Sequence, residues 1–109
     1  FVGPMIGQHH QFHHYNPGKS EFGESRYFKI SERIYRELDE RLAQSQFLAN
    51  ENYSIADIAT FPWIARHEWH DIGLKNFPNL VRWYNKISKR DAVVKGYDLL
   101  KKGEEIPKV

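Results

Sequence analysis

The amino-acid sequence predicts an all-α domain of about five helices. Apolar residues recur every three or four positions along several segments, and no segment shows the alternation of a half-buried strand. Aromatic residues make up 15% of the 109 residues, which is enough to build a hydrophobic core in a chain of this length. We therefore expect a single domain over residues 1–109 and exclude a disordered or low-complexity chain.

The first predicted helix covers about residues 7–16 and is followed by a turn at Pro17 and Gly18. The first 18 residues contain no Lys, Arg, Asp or Glu, so we expect this segment to pack against something else. Four residues here follow one another at intervals of three or four and would share one face: Met5, Gln8, Phe12 and Tyr15.

The second predicted helix, over about residues 21–46, is the longest. One face carries charged residues four positions apart, such as Glu32 and Arg36, which is typical of a solvated surface. The opposite face is an apolar stripe that consists of Tyr27, Ile30, Ile34, Tyr35, Leu38 and Leu42.

A capping box marks the start of the third helix. The Ser54 hydroxyl would accept a hydrogen bond from the Asp57 backbone, and the Asp57 carboxylate would accept one from the Ser54 N–H. Tyr53 and Ile58 flank this box as a hydrophobic staple. The residues that follow are apolar on nearly all sides, which predicts a central, buried helix, and Pro62 in its interior predicts a kink.

Two further helices are predicted near the end of the chain. Pro78 suits the first turn of one of them, where its missing N–H is harmless. Asp91 is expected to cap a short last helix that runs to about Lys102 and ends at Gly103. The apolar face of the helix after Pro78 consists of Leu80, Trp83, Tyr84 and Ile87.

The composition excludes several kinds of site and partner. The chain has no Cys, which excludes a disulfide, a thiolate zinc site and a cysteine nucleophile. Its net charge is only +2, with both signs interspersed, so we expect no nucleic-acid partner and no membrane surface. No apolar run approaches the length of about 18 residues that a membrane span requires.

A histidine cluster lies in the first helix: His9, His10, His13 and His14. Pairs four positions apart could each hold a metal ion, but two imidazoles alone make a weak site and no acidic residue lies nearby in sequence. We therefore expect no metal, and polar histidines at a surface, a loop end or a domain contact. His67 and His70 are three positions apart and lack the order of a metalloprotease motif.

Five motifs, taken in order, resemble the C-terminal helical domain of glutathione transferases, and the similarity is greatest to the bacterial nu-class branch, which is related to the fungal nitrogen-regulator prion protein. The resemblance extends from Gly3 to the end of the chain. The first motif is the opening Gly3-Pro4-Met5-x-Gly7-Gln8 with His10, Phe12, His14 and Pro17 after it. The others are Arg26-Tyr27, the capping box with Phe61-Pro62-Trp63 after it, Arg66-His67-Glu68-Trp69, and Phe77-Pro78-Asn79-Leu80.

The resemblance implies an N-terminal thioredoxin-like domain, absent from this chain, that binds glutathione and activates its sulfur. The intact enzyme would be a cytoplasmic homodimer that conjugates electrophiles or reduces disulfides with glutathione as co-substrate. This chain alone would bind no cofactor and would be inactive. It would supply dimer contacts, a second-substrate wall that includes the four residues of the first face, and Arg26, whose guanidinium would bind a glutathione carboxylate.

Two other functions are open at this point. Transferase-like helical domains also act as non-catalytic interaction modules in translation and synthetase assemblies, although Arg26 and the aromatic residues favour an enzyme. A metal-binding domain built on the histidine cluster is the third possibility.

Overall fold

The computed structural model describes residues 1–99 and 105–109, which form six α-helices and no strand. The all-α prediction is therefore confirmed. None of the helices described is both long enough and apolar enough to cross a membrane. A π-helical segment, His10–Tyr15, continues the first helix, and a 3₁₀ turn, Leu74–Asn76, precedes the fifth. The α-helices are α1 Val2–His9, α2 Glu21–Gln44, α3 Ile55–Ile64, α4 His67–His70, α5 Pro78–Ser88 and α6 Asp91–Asp98.

The long helix α2 organises the core because it packs against both α1 and α5. Its N-terminus is capped by Ser20, whose hydroxyl accepts a hydrogen bond from the Gly23 N–H at 3.0 Å. The predicted apolar stripe faces inward, with Ile34 and Tyr35 almost completely buried. The predicted face of α5 is buried as well, and the shared core includes Ile6, Ile34, Tyr35, Leu42, Phe61, Ile64, Leu80, Trp83, Tyr84 and Ile87.

The N-terminus of α5 is capped from α2. Asp39 Oδ1 accepts hydrogen bonds from the backbone N–H of Asn79 at 2.8 Å and of Leu80 at 2.9 Å. Pro78, the first residue of α5, has no N–H to satisfy, as predicted. The Asp39 carboxylate thus accepts hydrogen bonds from two backbone N–H groups that have no partner within α5, and its negative charge lies at the positive end of the α5 dipole. These contacts fix α5 against α2.

The capping box of α3 is present, and its aspartate does more than cap the helix. Asp57 Oδ2 accepts the Ser54 N–H at 2.9 Å, while the Ser54 hydroxyl accepts the Ala56 N–H at 3.3 Å. Asp57 Oδ1 accepts the indole N–H of Trp83 at 2.7 Å and the Leu48 N–H at 3.0 Å. This fully buried carboxylate therefore joins α3, α5 and the loop between α2 and α3.

The prediction that α3 is buried on all sides is wrong. Phe61 and Ile64 face the core, but Ile55 is 82% exposed and Ile58 is 53% exposed. The side of α3 that carries Phe61 and Ile64 packs into the core, and residues 1–99 and 105–109 leave part of its remaining apolar surface uncovered. Of the two staple residues, Tyr53 packs against the Phe47 ring and under the guanidinium of Arg90.

Both terminal segments also differ from the prediction in detail. The first helix begins earlier, at Val2, and its second half is π-helical. Asp91 does not cap α6: it is the first helical residue, Arg90 occupies the N-cap, and no side chain bonds to the helix end. The predicted extension to Lys102 and the stop at Gly103 lie outside the described residues.

Replacement of Asp57 by Ala should lower the free energy of unfolding by about 3 to 5 kcal/mol, because the buried Trp83 indole N–H and two partly buried backbone N–H groups lose their acceptor. Urea denaturation followed by tryptophan fluorescence measures this loss. The matched control is Asp91→Ala, at an exposed carboxylate that makes no cap bond, where we expect a change of at most about 0.5 kcal/mol. Equal losses in the two variants would contradict the central role of Asp57.

Candidate functional site

Three elements meet at the side chain of His70, at the end of α4. The hydroxyl of Tyr35, on α2, lies 2.5 Å from His70 Nδ1. His10 Nε2, on the π-helical segment, lies 2.7 Å from His70 Nε2, and His9 Nε2 donates to the His70 carbonyl oxygen at 2.9 Å. Tyr35, His9 and His70 are fully buried and His10 is 9% exposed, so these contacts form one buried hydrogen-bonded network.

Burial keeps these histidines neutral. It lowers the pKa of His70 to about 2 and that of His10 to about 4, because a charged imidazole would lose its hydration and lie beside other histidines. Burial also lowers the pKa of His9, although its bond to the His70 carbonyl acts in the opposite direction. The same cause raises the pKa of the Tyr35 hydroxyl. The network therefore consists of uncharged groups at neutral pH.

His13 lies one turn further along the π-helical segment, and its pKa is raised rather than lowered. Its Nδ1 lies 2.9 Å from Glu24 Oε1, and its Nε2 lies 2.6 Å from Asp71 Oδ2. The bonds to Asp71 and then to Glu24 raise the pKa of His13, since both nitrogens donate only in the imidazolium form. Glu24 Oε2 also accepts the Gly18 N–H at 3.2 Å. His13 thus links the π-helical segment to the start of α2 and the end of α4.

The histidine cluster differs from the expectation of polar side chains at a surface, a loop end or a domain contact. His9 and His10 are buried, and the acidic partners that the neighbouring sequence lacks are brought to His13 from residues 24 and 71. His67 turns away from His70 and packs edge-on to the Tyr84 ring. Across residues 1–99 and 105–109, no group of three His, Cys, Asp or Glu side chains could hold a metal ion.

A second arrangement joins Arg26 to Phe12. The guanidinium carbon of Arg26 lies 5.8 Å from the centre of the Tyr27 ring, and this ring stacks on that of Phe12 at 5.6 Å and 6°. Gly23 makes the stack possible, because a Cβ at this position would lie only 2.9 Å from the Phe12 ring. Arg26 also lines an open groove along the exposed side of α2, with Glu21, Phe22, Ser25, Lys29 and Ile30.

The four residues predicted to form a second-substrate wall do not share one environment. Met5 and Phe12 are half-buried, whereas Gln8 is exposed and Tyr15 is 60% exposed. Tyr15 lies edge-on to Trp69, on which His14 stacks at 4.0 Å. The structure therefore places Phe12 near Arg26, and Tyr15 in a separate aromatic group at the end of the π-helical segment.

Sequence patterns did not identify Tyr35, His70, Glu24 or Asp71 as partners of the histidine cluster. Helical periodicity places Tyr35 in the apolar stripe, which is correct for its ring but gives no information about its hydroxyl. The positive φ of 55° at Asp71, which ends α4, has no clear sequence signal because aspartate is not the usual residue there.

Acidification should destabilise the protein through His70 and His10. Their folded pKa values lie below the unfolded value of 6.5, so the unfolded chain binds more protons between the two values. The part of the free energy of unfolding that depends on these two histidines should be complete above pH 6.5 and should fall below it by up to about 1.4 kcal/mol per pH unit for each histidine. The contribution of His13 is complete below pH 6.5 and is lost as the pH rises through its raised folded pKa.

Urea denaturation at a series of pH values between about 5 and 8 measures this dependence. His70→Gln removes one of the buried titrating groups, so its stability should depend less steeply on pH on the acid side. An acid slope identical to that of the unmodified protein would show that His70 is not the group responsible.

Comparisons with known proteins agree with this fold. A sequence profile described as the C-terminal domain of glutathione S-transferase matches residues 10–91. The chain is 40% identical over 100 residues to the disulfide-bond oxidoreductase YfcG of Escherichia coli, across 92% of this chain and 46% of YfcG. It is 32% identical over 105 residues to the disulfide-bond oxidoreductase YghU of the same organism, across 88% of this chain and 35% of YghU.

A solved structure is similar as well. The crystal structure of a glutathione transferase from Burkholderia graminis, with two glutathione molecules bound per subunit, matches with a TM-score of 0.82 and 34% identity. The match covers 94% of this chain and 45% of that chain, so the present chain spans less than half the length of each of these three relatives. The chain belongs to the glutathione S-transferase family and has the fold of its C-terminal helical domain.

Proposed function

We propose that this chain is the helical part of a nu-class-like enzyme that uses glutathione to reduce disulfides or to conjugate electrophiles. A thioredoxin-like domain, absent from this chain, would bind glutathione and activate its sulfur. The similarity to two proteins named disulfide-bond oxidoreductases and to a transferase with bound glutathione supports this proposal. A homodimer in the cytoplasm is part of the same proposal.

The observation that carries the proposal is the position of Arg26. Its side chain is exposed beside the stacked rings of Tyr27 and Phe12, and none of the ion pairs between described residues involves it. A guanidinium with free donors can bind both oxygens of a carboxylate at once, and glutathione carries two carboxylates. Phe12 next to it would supply the apolar surface that a second substrate requires.

The remaining wall residues would act less directly. Met5 packs partly against the core, so only part of its side chain could meet a substrate. Gln8 and Tyr15 are exposed and could contact a second substrate, another domain or the partner subunit. In this proposal Met5, Phe12 and Tyr15 provide apolar contact and Gln8 a polar one, and the chemistry on sulfur belongs to the other domain.

A non-catalytic interaction module is the alternative, and the exposed Ile55 and Ile58 are the observation that favours it. The two functions are separated by joining a thioredoxin-like domain of the same family to this chain and measuring the reduction of 2-hydroxyethyl disulfide by glutathione. We expect glutathione-dependent activity. A folded protein without activity that captures one specific macromolecule would favour the interaction module.

Replacement of Arg26 by Ala should weaken glutathione binding by about 10- to 100-fold in that protein, because a charge-assisted pair of hydrogen bonds is lost. Isothermal titration calorimetry measures the affinity. Arg36→Ala is the matched control, since Arg36 is an exposed arginine of the same helix that pairs with Glu32, and it should leave the affinity unchanged. Equal affinities for all three proteins would remove Arg26 from the glutathione site.

Gly23→Ala should displace Phe12 and therefore raise the KM for the disulfide. The added Cβ would lie 2.9 Å from the ring, and we expect overpacking to cost about 1 to 3 kcal/mol of folding free energy. Gly7→Ala is the control, because its Cβ would only touch Trp63 at 3.7 Å, and alanine should gain up to about 1 kcal/mol in a helix. Urea denaturation and steady-state kinetics test both variants, and an unchanged KM in Gly23→Ala would exclude Phe12 from the wall.

A further inference from the structure

The buried network around His70 has no role in the proposed chemistry. It runs from Tyr35 on α2 through His70 on α4 to His10 on the π-helical segment, with distances of 2.5 Å and 2.7 Å. His9 adds a bond to the His70 carbonyl oxygen. The network therefore connects the centre of the core to the segment that carries Phe12 and Tyr15.

We propose that Tyr35 and His70 are positioning residues, which hold the π-helical segment in place through His10 and thereby set the geometry of the second-substrate wall. This proposal rests on the proposed function for the identity of the wall. It assigns no direct contact with substrate to Tyr35 or His70.

The chain of hydrogen bonds is suited to this role because neutral groups satisfy every link. A neutral imidazole has one donor and one acceptor nitrogen. In one arrangement the Tyr35 hydroxyl donates to His70 Nδ1, and His70 Nε2 donates to His10. In the other arrangement His10 donates to His70 Nε2, and His70 Nδ1 donates to Tyr35. In both arrangements His70 must bond on both sides at once, so its ring is fixed in the core.

The segment needs such an anchor because its backbone is π-helical. A π-helix is rare and short, so side-chain contacts must select it over a regular α-helix. His13 provides one anchor through Glu24 and Asp71, but its side chain is partly exposed and its bonds depend on charge. The bond between His10 and His70 is the buried, uncharged anchor.

The position of His10 affects both wall residues of the segment. Phe12 is two positions away and packs over Gly23 with little free space. Tyr15 lies edge-on to Trp69 at 5.6 Å, and the same indole lies edge-on to His10 at 5.3 Å. A shift of His10 would therefore move Phe12 along the backbone and Tyr15 through Trp69.

Two substitutions of His70 separate its two bonds. The amide of glutamine reaches about as far as Nε2, so His70→Gln retains the bond to His10 and loses the bond to Tyr35. The shorter asparagine places its amide near Nδ1, so His70→Asn retains the bond to Tyr35 and loses the bond to His10. His67→Gln is the matched control, since His67 lies on the same helix against Tyr84 and outside the network.

We measure kcat and both KM values for glutathione and 2-hydroxyethyl disulfide in the protein that carries the thioredoxin-like domain. His70→Asn should raise the KM for the disulfide about tenfold, the effect of one lost buried hydrogen bond, and leave the KM for glutathione unchanged. His70→Gln keeps the direct bond to His10 and loses only the bond by which Tyr35 orients residue 70, so it should raise the KM for the disulfide by a smaller amount, about threefold. His67→Gln should change neither constant.

Equal disulfide KM values for His70→Asn and His70→Gln would overturn the proposal, as would a rise in the KM for glutathione alone. If His70→Asn does not fold, Tyr35→Phe replaces it: loss of the hydroxyl should raise the disulfide KM, and an unchanged KM would overturn the proposal. Absence of activity in the unmodified protein would refute the proposed function and this proposal with it, whereas normal activity in every variant refutes only the positioning role.

Discussion

The helical fold depends on the hydrogen bonds that the buried carboxylate of Asp57 accepts. This carboxylate accepts hydrogen bonds from the Ser54 backbone, the Leu48 backbone and the Trp83 indole, and these donors belong to three different parts of the chain. A carboxylate without solvent is stable only when such donors surround it. The start of α3, the preceding loop and α5 must therefore adopt their final positions together, and the core around Trp83 depends on the same contacts.

The network at His70 is a second buried polar centre, and it differs from the first in its physical basis. Asp57 accepts hydrogen bonds from two backbone N–H groups and an indole N–H, whereas His70 bonds to uncharged partners that can exchange donor and acceptor roles. The first centre fixes α3 against α5, and the second fixes α1 with its π-helical continuation against α2 and α4. Both join segments that are remote in sequence, so each limits how far one helix can move independently.

The sequence predicted those features that depend on local patterns. The faces of α2 and α5 follow from helical periodicity, and the α3 capping box follows from the spacing of Ser54 and Asp57. The contacts of His13 and His70 could not be predicted, because their partners lie 11 to 61 residues away and helical periodicity says nothing about which polar side chains meet. The exposed side of α3 was missed for a related reason: an apolar residue does not show whether its own chain covers it.

The distribution of polar contacts supports the proposal that, in a glutathione-dependent enzyme, some residues of this chain support its folding while others at its surface contact substrates. Asp57, Asp39 and His70 have partners from this chain and support its folding. Arg26 and Tyr15 instead lie at the surface, Arg26 beside the Tyr27 ring and Tyr15 edge-on to Trp69. The Arg26 guanidinium carbon lies 5.8 Å from the centre of the Tyr27 ring, and a contact with an aromatic face uses none of the guanidinium's hydrogen-bond donors, so in the proposed enzyme these donors would be available to a glutathione carboxylate.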